Sequence, residues 1–299
     1  MNMAEKDTRR MTESLYQEDL KHIPGPIAEV LEIYSGIPKD RQKQHILSLR
    51  NQAYKAHPYP CLGRFRFLEL DLSVHPLYQE YVVPKLKGND TEPEPLFLDL
   101  GTCLGQDIRK LIHDGVSPSR LYGSDIVPEF IDAGYELFLD GDKFPRDHFI
   151  CPADVFDKSE KGRLSVLDGK VDILQASAVF HLFSGEQQAA VAERCMKLVR
   201  KESGSRSLVL GGQVGNVNEM ESVRADGSRK YRHDEKSWRT LWEQTAKQDQ
   251  FNNVVKKVEV EVNMQQRTSM QVEAGEQQKY IGLSEEGFRW MVWQVWVEC

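Results

Sequence analysis

Leu96-Phe97-Leu98-Asp99-Leu100-Gly101-Thr102-Cys103-Leu104-Gly105 is the stretch whose reading decides the fold. Its apolar start, Leu96 to Leu98, suits a buried strand of a parallel sheet. Asp99 ends that run, and Gly101 and Gly105 bracket a tight turn. Beyond the turn Ile108, Leu111 and Ile112 recur at helical spacing, and Gly115 stands where a helix stops. A strand, a glycine-bearing turn and a helix opening beneath it make the ligand end of a doubly wound α/β sheet. Thr102, Cys103 and Leu104 fill the interval that holds the middle glycine of the dinucleotide fingerprint, so the turn alone names no ligand.

Downstream, strand and helix alternate. Leu121 to Ile126 reads as a second strand containing Asp125, and Pro128 opens the helix that follows. Phe149-Ile150-Cys151 is a third strand with Asp154 just past its end, and Val171 to Ala176 is a fourth. Ser184 and Gln187 form a capping box for a helix carrying Val191, Cys195 and Leu198. Ser207 to Gly211 is a fifth strand, and Trp238, Leu241, Trp242 and Thr245 mark another helix. The pattern then changes. Val258, Val260, Val262 and Met264 alternate with polar residues, as do Met291, Trp293, Val295 and Val297, which predicts an antiparallel addition to a parallel sheet.

Upstream, residues 1 to about 14 read as a disordered polar start. Helices are expected around Ile27–Tyr34, Asp40–Ala56 and Pro76–Leu86, and an extended segment where Phe65 and Phe67 alternate with Arg64 and Arg66. Lys87 to Pro95 is polar, with two prolines, and reads as a linker. Residues 1–95 are thus expected to be an N-terminal helical cap and 96–299 the sheet domain.

Chemistry gathers at the carboxyl ends of the strands, where open α/β sheets bind ligands. Asp125 follows Asp99 by 26 residues, near the interval at which an acid reaches a ribose hydroxyl. Asp154 is placed to accept from an adenine amine, with Ile126 and Val155 against the ring. No phosphate-binding loop with Lys and Ser/Thr is present. Two nucleoside-directed acids without phosphate chemistry point to S-adenosylmethionine, whose amino group and sulfonium favour an acidic neighbour such as Asp99. The expected cofactor set is Asp99, Gly101, Thr102, Cys103, Gly105, Asp125, Ile126, Asp154, Val155 and Ala176. Against this stand plainer readings: a strand-end aspartate is often a turn former, Cys103 a small packing residue, and Gln106 and Asp107 acceptors for the first helical turn. His181, beside Phe180 and Leu182, reads as a buried, hydrogen-bonded histidine, and Tyr231, Arg232 and His233 as a polar, solvent-exposed loop. Trp290, Trp293 and Trp296 read as core or subunit-interface residues, which leaves a homodimer open.

Composition bounds the rest. A formal charge of −7 with scattered Lys and Arg argues against a nucleic-acid surface. Five cysteines without metal-ligand spacing argue against a disulfide framework or a metal site and for a reducing compartment. No apolar run approaches the ~18 residues of a membrane span, and the polar start lacks a secretion signal, so a cytoplasmic location is expected.

The runs Tyr59-Pro-Cys-Leu-Gly-Arg-Phe-Arg-Phe67, Leu98-Asp-Leu-Gly-Thr-Cys-Leu-Gly-Gln-Asp107, Leu121-Tyr-Gly-Ser-Asp125, Gly134-Tyr-Glu-Leu-Phe138 and Phe180-His-Leu-Phe183 resemble fungal class I methyltransferases of meroterpenoid biosynthesis, the group of the austinol, terretonin and andrastin pathways. The resemblance runs from about Arg41 to the C-terminus. It implies a Rossmann-like seven-stranded sheet with an antiparallel last strand, adenosyl contacts at Asp125-Ile126 and Asp154-Val155, and methyl esterification of a farnesylated aromatic acid. Members of that group often carry a second cysteine where this chain has Thr102.

The expected reaction is transfer of a methyl group to an oxygen of a small hydrophobic acid. A carboxylate acceptor needs no base; a phenol or alcohol would make His181 or His233 the candidate catalytic base. The cap residues Tyr54, Tyr59, Arg64 and Phe65 are the expected acceptor contacts, with Arg64 pairing to a substrate carboxylate. The competing readings are a nicotinamide-dependent oxidoreductase, disfavoured by the absent glycine and the antiparallel ending, and a methyltransferase-like binding protein without turnover.

Overall fold

The path of the chain through its sheet fixes where a ligand can sit. A computed structural model describes residues 16–88, 93–224, 227–266 and 286–299; the polar start expected to be disordered lies outside them. Strands β1 (Phe97–Leu100), β2 (Leu121–Ser124), β3 (Phe149–Ile150), β4 (Ile173–Gln175), β5 (Arg206–Asn216), β8 (Lys257–Gln265) and β9 (Phe288–Glu298) form one sheet in the order β3-β2-β1-β4-β5-β9-β8. Strands β1 to β5 are mutually parallel. Strand β9 is antiparallel to both β5 and β8, so it alone is reversed and β8 runs with the others. The chain winds outward from β1 through β2 to β3, then returns to β4 on the other side of β1. The order reverses between β1 and β4, and a crevice opens there at the strand ends.

Alternation along each strand sends side chains to two layers. Leu98, Leu100 and Leu174 enter one layer, against α7 (Gly185–Leu198) and α8 (Glu235–Ala246), where Trp238, Trp242 and Trp293 pack around Phe180. Phe97, Ile173 and Leu208 enter the other, with Ile108 and Leu111 of α5 (Gln106–His113) and Ile131 of α6 (Pro128–Phe138). Tyr78, Val82 and Leu86 join this second layer, from a π-helical turn at Tyr78–Val82 that runs into α4 (Val83–Lys87). The capping box at Ser184 and Gln187 forms as its spacing predicts. Trp290, Trp293 and Trp296 are all buried within the chain, so they are core residues and a homodimer would need another surface.

A third apolar cluster makes the cap. It draws on α1 (Gly25–Glu29) and its π-helical continuation to Tyr34, α2 (Lys39–Ala56) and α3 (Pro60–Gly63). Their buried residues, from Leu20 to Leu70, rest on Leu104 of the glycine turn and on Phe130, Ala133, Leu137 and Phe138 of α6. A fully buried ion pair braces the junction: Arg109 of α5 donates to both carboxylate oxygens of Asp140 at 2.8 and 3.1 Å, and Tyr34 of the cap donates to the same carboxylate at 2.8 Å.

Two expectations are corrected. The Arg64 to Phe67 segment is not extended: Phe65 adopts a left-handed φ of 58°, and a 3-10 turn follows over Arg66–Leu68, so both phenyl rings turn into the cap core. Tyr231 and Arg232 do not lie in an exposed loop. They belong to β7 (Arg229–Arg232), paired with β6 (Met220–Val223) in a small hairpin, and His233 beyond them is buried.

Candidate active site

A cavity of about 450 Å3 lies at the strand ends where the sheet order reverses, roofed by the cap. Its volume falls in the usual range for small-molecule sites. The floor is the glycine turn: Asp99, Leu100, Gly101 and Cys103, then Gln106 and Asp107 of α5. Gly101 has φ +75°, and a Cβ there would come within 2.6 Å of the Val179 side chain, so the turn closes against the next wall only because this residue is glycine. Gly105, φ +69°, faces Arg109 instead; a Cβ would meet its guanidinium at 2.2 Å, and the residue does not line the cavity.

Carboxyl groups dominate the floor. Burial pushes Asp99 up to about 7, against the pull of the Thr102 hydroxyl, which donates to it at 2.6 Å. Burial likewise holds Asp107 well above the usual carboxylate range, reinforced by the charges of Asp99 and Asp71; the amides of Leu72 and Gln175 donate to it. Asp125 is raised by burial, although the backbone N–H groups of Cys103 and Val127 donate to its two oxygens at 2.9 and 3.0 Å. These groups sit unhappily as anions, and a cationic ligand would relieve them.

One wall continues from β2 and β3. Ser124, Asp125, Ile126 and Val127 are followed by Ala153, Asp154, Val155 and Phe156. Asp154 accepts the Phe156 N–H at 2.9 Å, a local turn bond that leaves its second oxygen open. Ile126 is 59% exposed beside Asp125, an apolar face without a partner next to a carboxylate. Gln175, Ser177, Ala178, Val179, Leu182 and Phe183 close the other wall. The cap contributes His57, Tyr59, Cys61, Arg66, Phe67 and Asp71, and α6 contributes Phe130.

Of the expected cofactor residues, Asp99, Gly101, Cys103, Asp125, Ile126, Asp154 and Val155 come together on this lining, while Thr102, Gly105 and Ala176 stand behind it. Of the expected acceptor contacts only Tyr59 lines the cavity, and burial raises its phenol. Tyr54 packs on Tyr16, Arg64 is buried off the cavity, and Phe65 lies under the Arg50 guanidinium in the cap core. Neither candidate base is on the wall. His181 accepts the Val214 N–H at 3.4 Å, and burial with the surrounding Arg232, Arg66, Arg224 and Lys230 charges keeps it well below the usual imidazole range. His233 is paired to Ser237 at 3.0 Å and is pushed by burial to about 4. The sequence reading missed His57, Arg66 and Asp71, and it gave Asp107 only a helix-capping part. The alternation around Arg66 is visible in the sequence, where it reads as an extended segment.

The residues present fit S-adenosylmethionine. Ser124 Oγ, Gln106 Oε1 and Gln175 Oε1 are buried on the cavity wall with no hydrogen-bond partner, which marks groups kept for a polar ligand. Raised carboxyls await a cation, and an exposed isoleucine beside an acid awaits a nucleoside. Sheet order, site and cap together define a class I S-adenosylmethionine-dependent methyltransferase. Over its whole length the chain superposes on a crystal structure of the CurJ carbon methyltransferase, covering 72% of it at a TM-score of 0.50 and 10% identity, a likeness of fold. Residues 15–68 match the meroterpenoid methyltransferase N-terminal domain. The chain is 38% identical over 224 residues to the O-methyltransferase phiE of a fungal species, with 74% of this chain and 71% of that protein aligned. It is 36% identical over 236 residues to the methyltransferases ausD of Penicillium brasilianum and trt5 of Aspergillus terreus, with 78% of this chain and 81% of each relative aligned. The chain belongs to the fungal meroterpenoid methyltransferases, and S-adenosylmethionine is its cofactor.

Proposed function

We propose that this enzyme methylates the carboxylate of a small, hydrophobic, farnesylated aromatic acid. The observation that carries the reading is Arg66, the one guanidinium among the described residues lining an otherwise acidic and aromatic cavity. It stacks on the Trp290 ring with 4.5 Å between guanidinium carbon and ring centroid, and it pairs with Asp71 at 3.3 Å. Its Nε also pairs with Glu69 at 3.5 Å, so two carboxylates and the indole hold the guanidinium in place, and its remaining N–H groups are left to meet a substrate carboxylate. Phe67, Phe130, Phe156 and Phe183 supply apolar wall for a prenyl chain, the last two packed edge to face at 5.0 Å.

S-adenosylmethionine, when bound, supplies an electrophilic methyl group. Asp125 and Asp154 would hold its nucleoside, with Ile126 and Val155 beside the base, and Asp99 and Asp107 would meet its cationic end. Nucleophile, carbon and sulfur must lie in line, so the contribution of these residues is chiefly positioning. The cap excludes water from the acceptor oxygen, which strengthens both its reactivity and its pairing with Arg66. An ionised carboxylate needs no general base. Should the acceptor be a phenol, His57 is the histidine on the cavity wall, and it takes the part first given to His181 or His233.

The test is to incubate the purified enzyme with methyl-labelled cofactor and a panel of prenylated aromatic acids, then treat the products with mild alkali. A methyl ester releases its label as methanol. A label that survives alkali, as an aryl ether or a carbon-bound methyl would, rejects the carboxylate as acceptor.

A further inference from the structure

We propose that Cys61 and Cys103 are an oxidant-modification site, in which a reversible disulfide fastens the cap to the cofactor turn and stops turnover. Cys61 lies in α3 of the cap, and Cys103 lies in the glycine turn 42 residues later. Their sulfurs are 3.6 Å apart, the two side chains are partly accessible, and both line the cavity. An oxidant small enough to enter the cavity therefore meets two thiols already in contact. Among the described residues Cys151, Cys195 and Cys299 make no such contact with another cysteine sulfur, and the last two are buried.

The order of events follows from the surroundings. Hydrogen bonding to Cys61 and burial hold the Cys103 thiol well above its usual range, and we assign the first reaction to Cys61, on the cap side of the cavity. With a hydroperoxide, the Cys61 sulfur attacks the peroxide oxygen, the O–O bond breaks, and a sulfenic acid and an alcohol (or water) form. The Cys103 sulfur then attacks the Cys61 sulfur. The S–S bond forms, the S–O bond breaks, and hydroxide leaves with the Cys103 proton as water. Two thiols are oxidised by two electrons and one peroxide is reduced. A disulfide such as oxidised glutathione reaches the same product by exchange.

The consequence for the site is mechanical. To bond, the sulfurs must close by about 1.5 Å, since a disulfide is about 2.05 Å long. Cys103 donates its backbone N–H to Asp125, and Cys61 is two residues from Tyr59, so the bridge draws on the floor and the roof of the cavity together. The pull falls on Asp125 and Tyr59, which face each other across the cavity, and displaces the lining on which transfer depends.

The experiment treats the full-length reduced enzyme with hydrogen peroxide or oxidised glutathione, maps peptides without reduction, and follows methyl transfer before and after dithiothreitol. The expected result is a Cys61–Cys103 cross-linked peptide, lighter by two hydrogens than the separate peptides. Loss of activity should track its formation and be restored by the reductant. Cys61→Ser, judged against its own untreated activity, should resist the same treatment. Peroxide that carries Cys61 to sulfinic acid without a cross-link, or a cross-linked enzyme of full activity, overturns the proposal. The proposal rests on this cavity being the transfer site. If that reading fails, the reduced enzyme transfers no methyl group; if only the bridge fails, the reduced enzyme is active and indifferent to oxidant.

Discussion

Replacing Asp125 with alanine tests the nucleoside site directly. Its carboxylate accepts Cys103 N–H at 2.9 Å and Val127 N–H at 3.0 Å, one on each oxygen, and each oxygen keeps a further lone pair for a ribose hydroxyl. Losing a hydrogen bond to a charged acceptor costs about 1.5–3 kcal/mol, so Asp125→Ala should bind S-adenosylhomocysteine roughly 10- to 150-fold more weakly. The same change leaves two backbone N–H groups without their acceptor, and loosening of the turn would also weaken binding. Asp125→Asn separates the two effects: its amide oxygen keeps one backbone bond, while its NH2 group has no lone pair to offer a hydroxyl. Calorimetric titration gives the affinities and scanning calorimetry the stabilities. If Asn restores Tm but not affinity, the carboxylate itself binds the nucleoside; if it restores both, the charge of Asp125 is not needed for binding. If Ala keeps full affinity in a folded protein, the nucleoside lies elsewhere and the assignment of this wall fails.

The other expectations concern charge. Asp99 is raised from 3.8 to about 7, so the folded apoenzyme holds a proton that the unfolded chain releases. This group's contribution therefore makes the apoenzyme lose stability as pH rises from about 4 to 7, and affinity for the cationic cofactor should rise through the same region. Calorimetric titrations between about pH 5.5 and 8.5 would show it, and a flat profile would remove Asp99 from contact with the cation. Arg66→Ala should raise the KM for the acid about tenfold or more, one charged hydrogen bond being worth about 1.5–3 kcal/mol, with cofactor affinity unchanged in titration. His57→Ala, which removes the histidine on the cavity wall, should leave carboxylate methylation largely intact; a collapse of kcat in a protein of unchanged Tm would mean that a base is needed. Asp140→Asn strips the counter-ion from the fully buried Arg109 and should lower stability by about 3–5 kcal/mol in denaturant titration.

What could be read from the sequence was what short-range chemistry dictates. The Gly101 to Gly105 turn, the acids at 125 and 154 and the box at Ser184 and Gln187 each depend on neighbours within a few residues, and each formed. The reversed last strand was legible too, because Met291 to Val297 alternate with nothing helical beside them. The hairpin of β6 and β7 was not, since its outward faces carry Glu, Lys and Arg and show no apolar alternation. Its one sequence signal was the Asp226-Gly227 dipeptide, a hairpin-turn pair.

The cap is where the course of the chain departs from its sequence pattern. Phe65, Arg66 and Phe67 have the period-two pattern of a half-buried strand, and periodicity alone assigns both rings to one face. The left-handed φ at Phe65 breaks that logic. One left-handed residue redirects the chain, so both rings reach a core formed with α6, and the arginine between them is left to stack on Trp290, 224 positions away in sequence. Arg64, the expected partner of a substrate carboxylate, is buried by the turn, and Arg66 reaches the cavity in its place. Asp99, Asp125 and Asp154 line the cavity from strand ends, where local pattern and position coincide. The lining residues of the cap, Arg66 and Phe67 among them, sit on a segment whose course is set by what it packs against, and no local pattern records that.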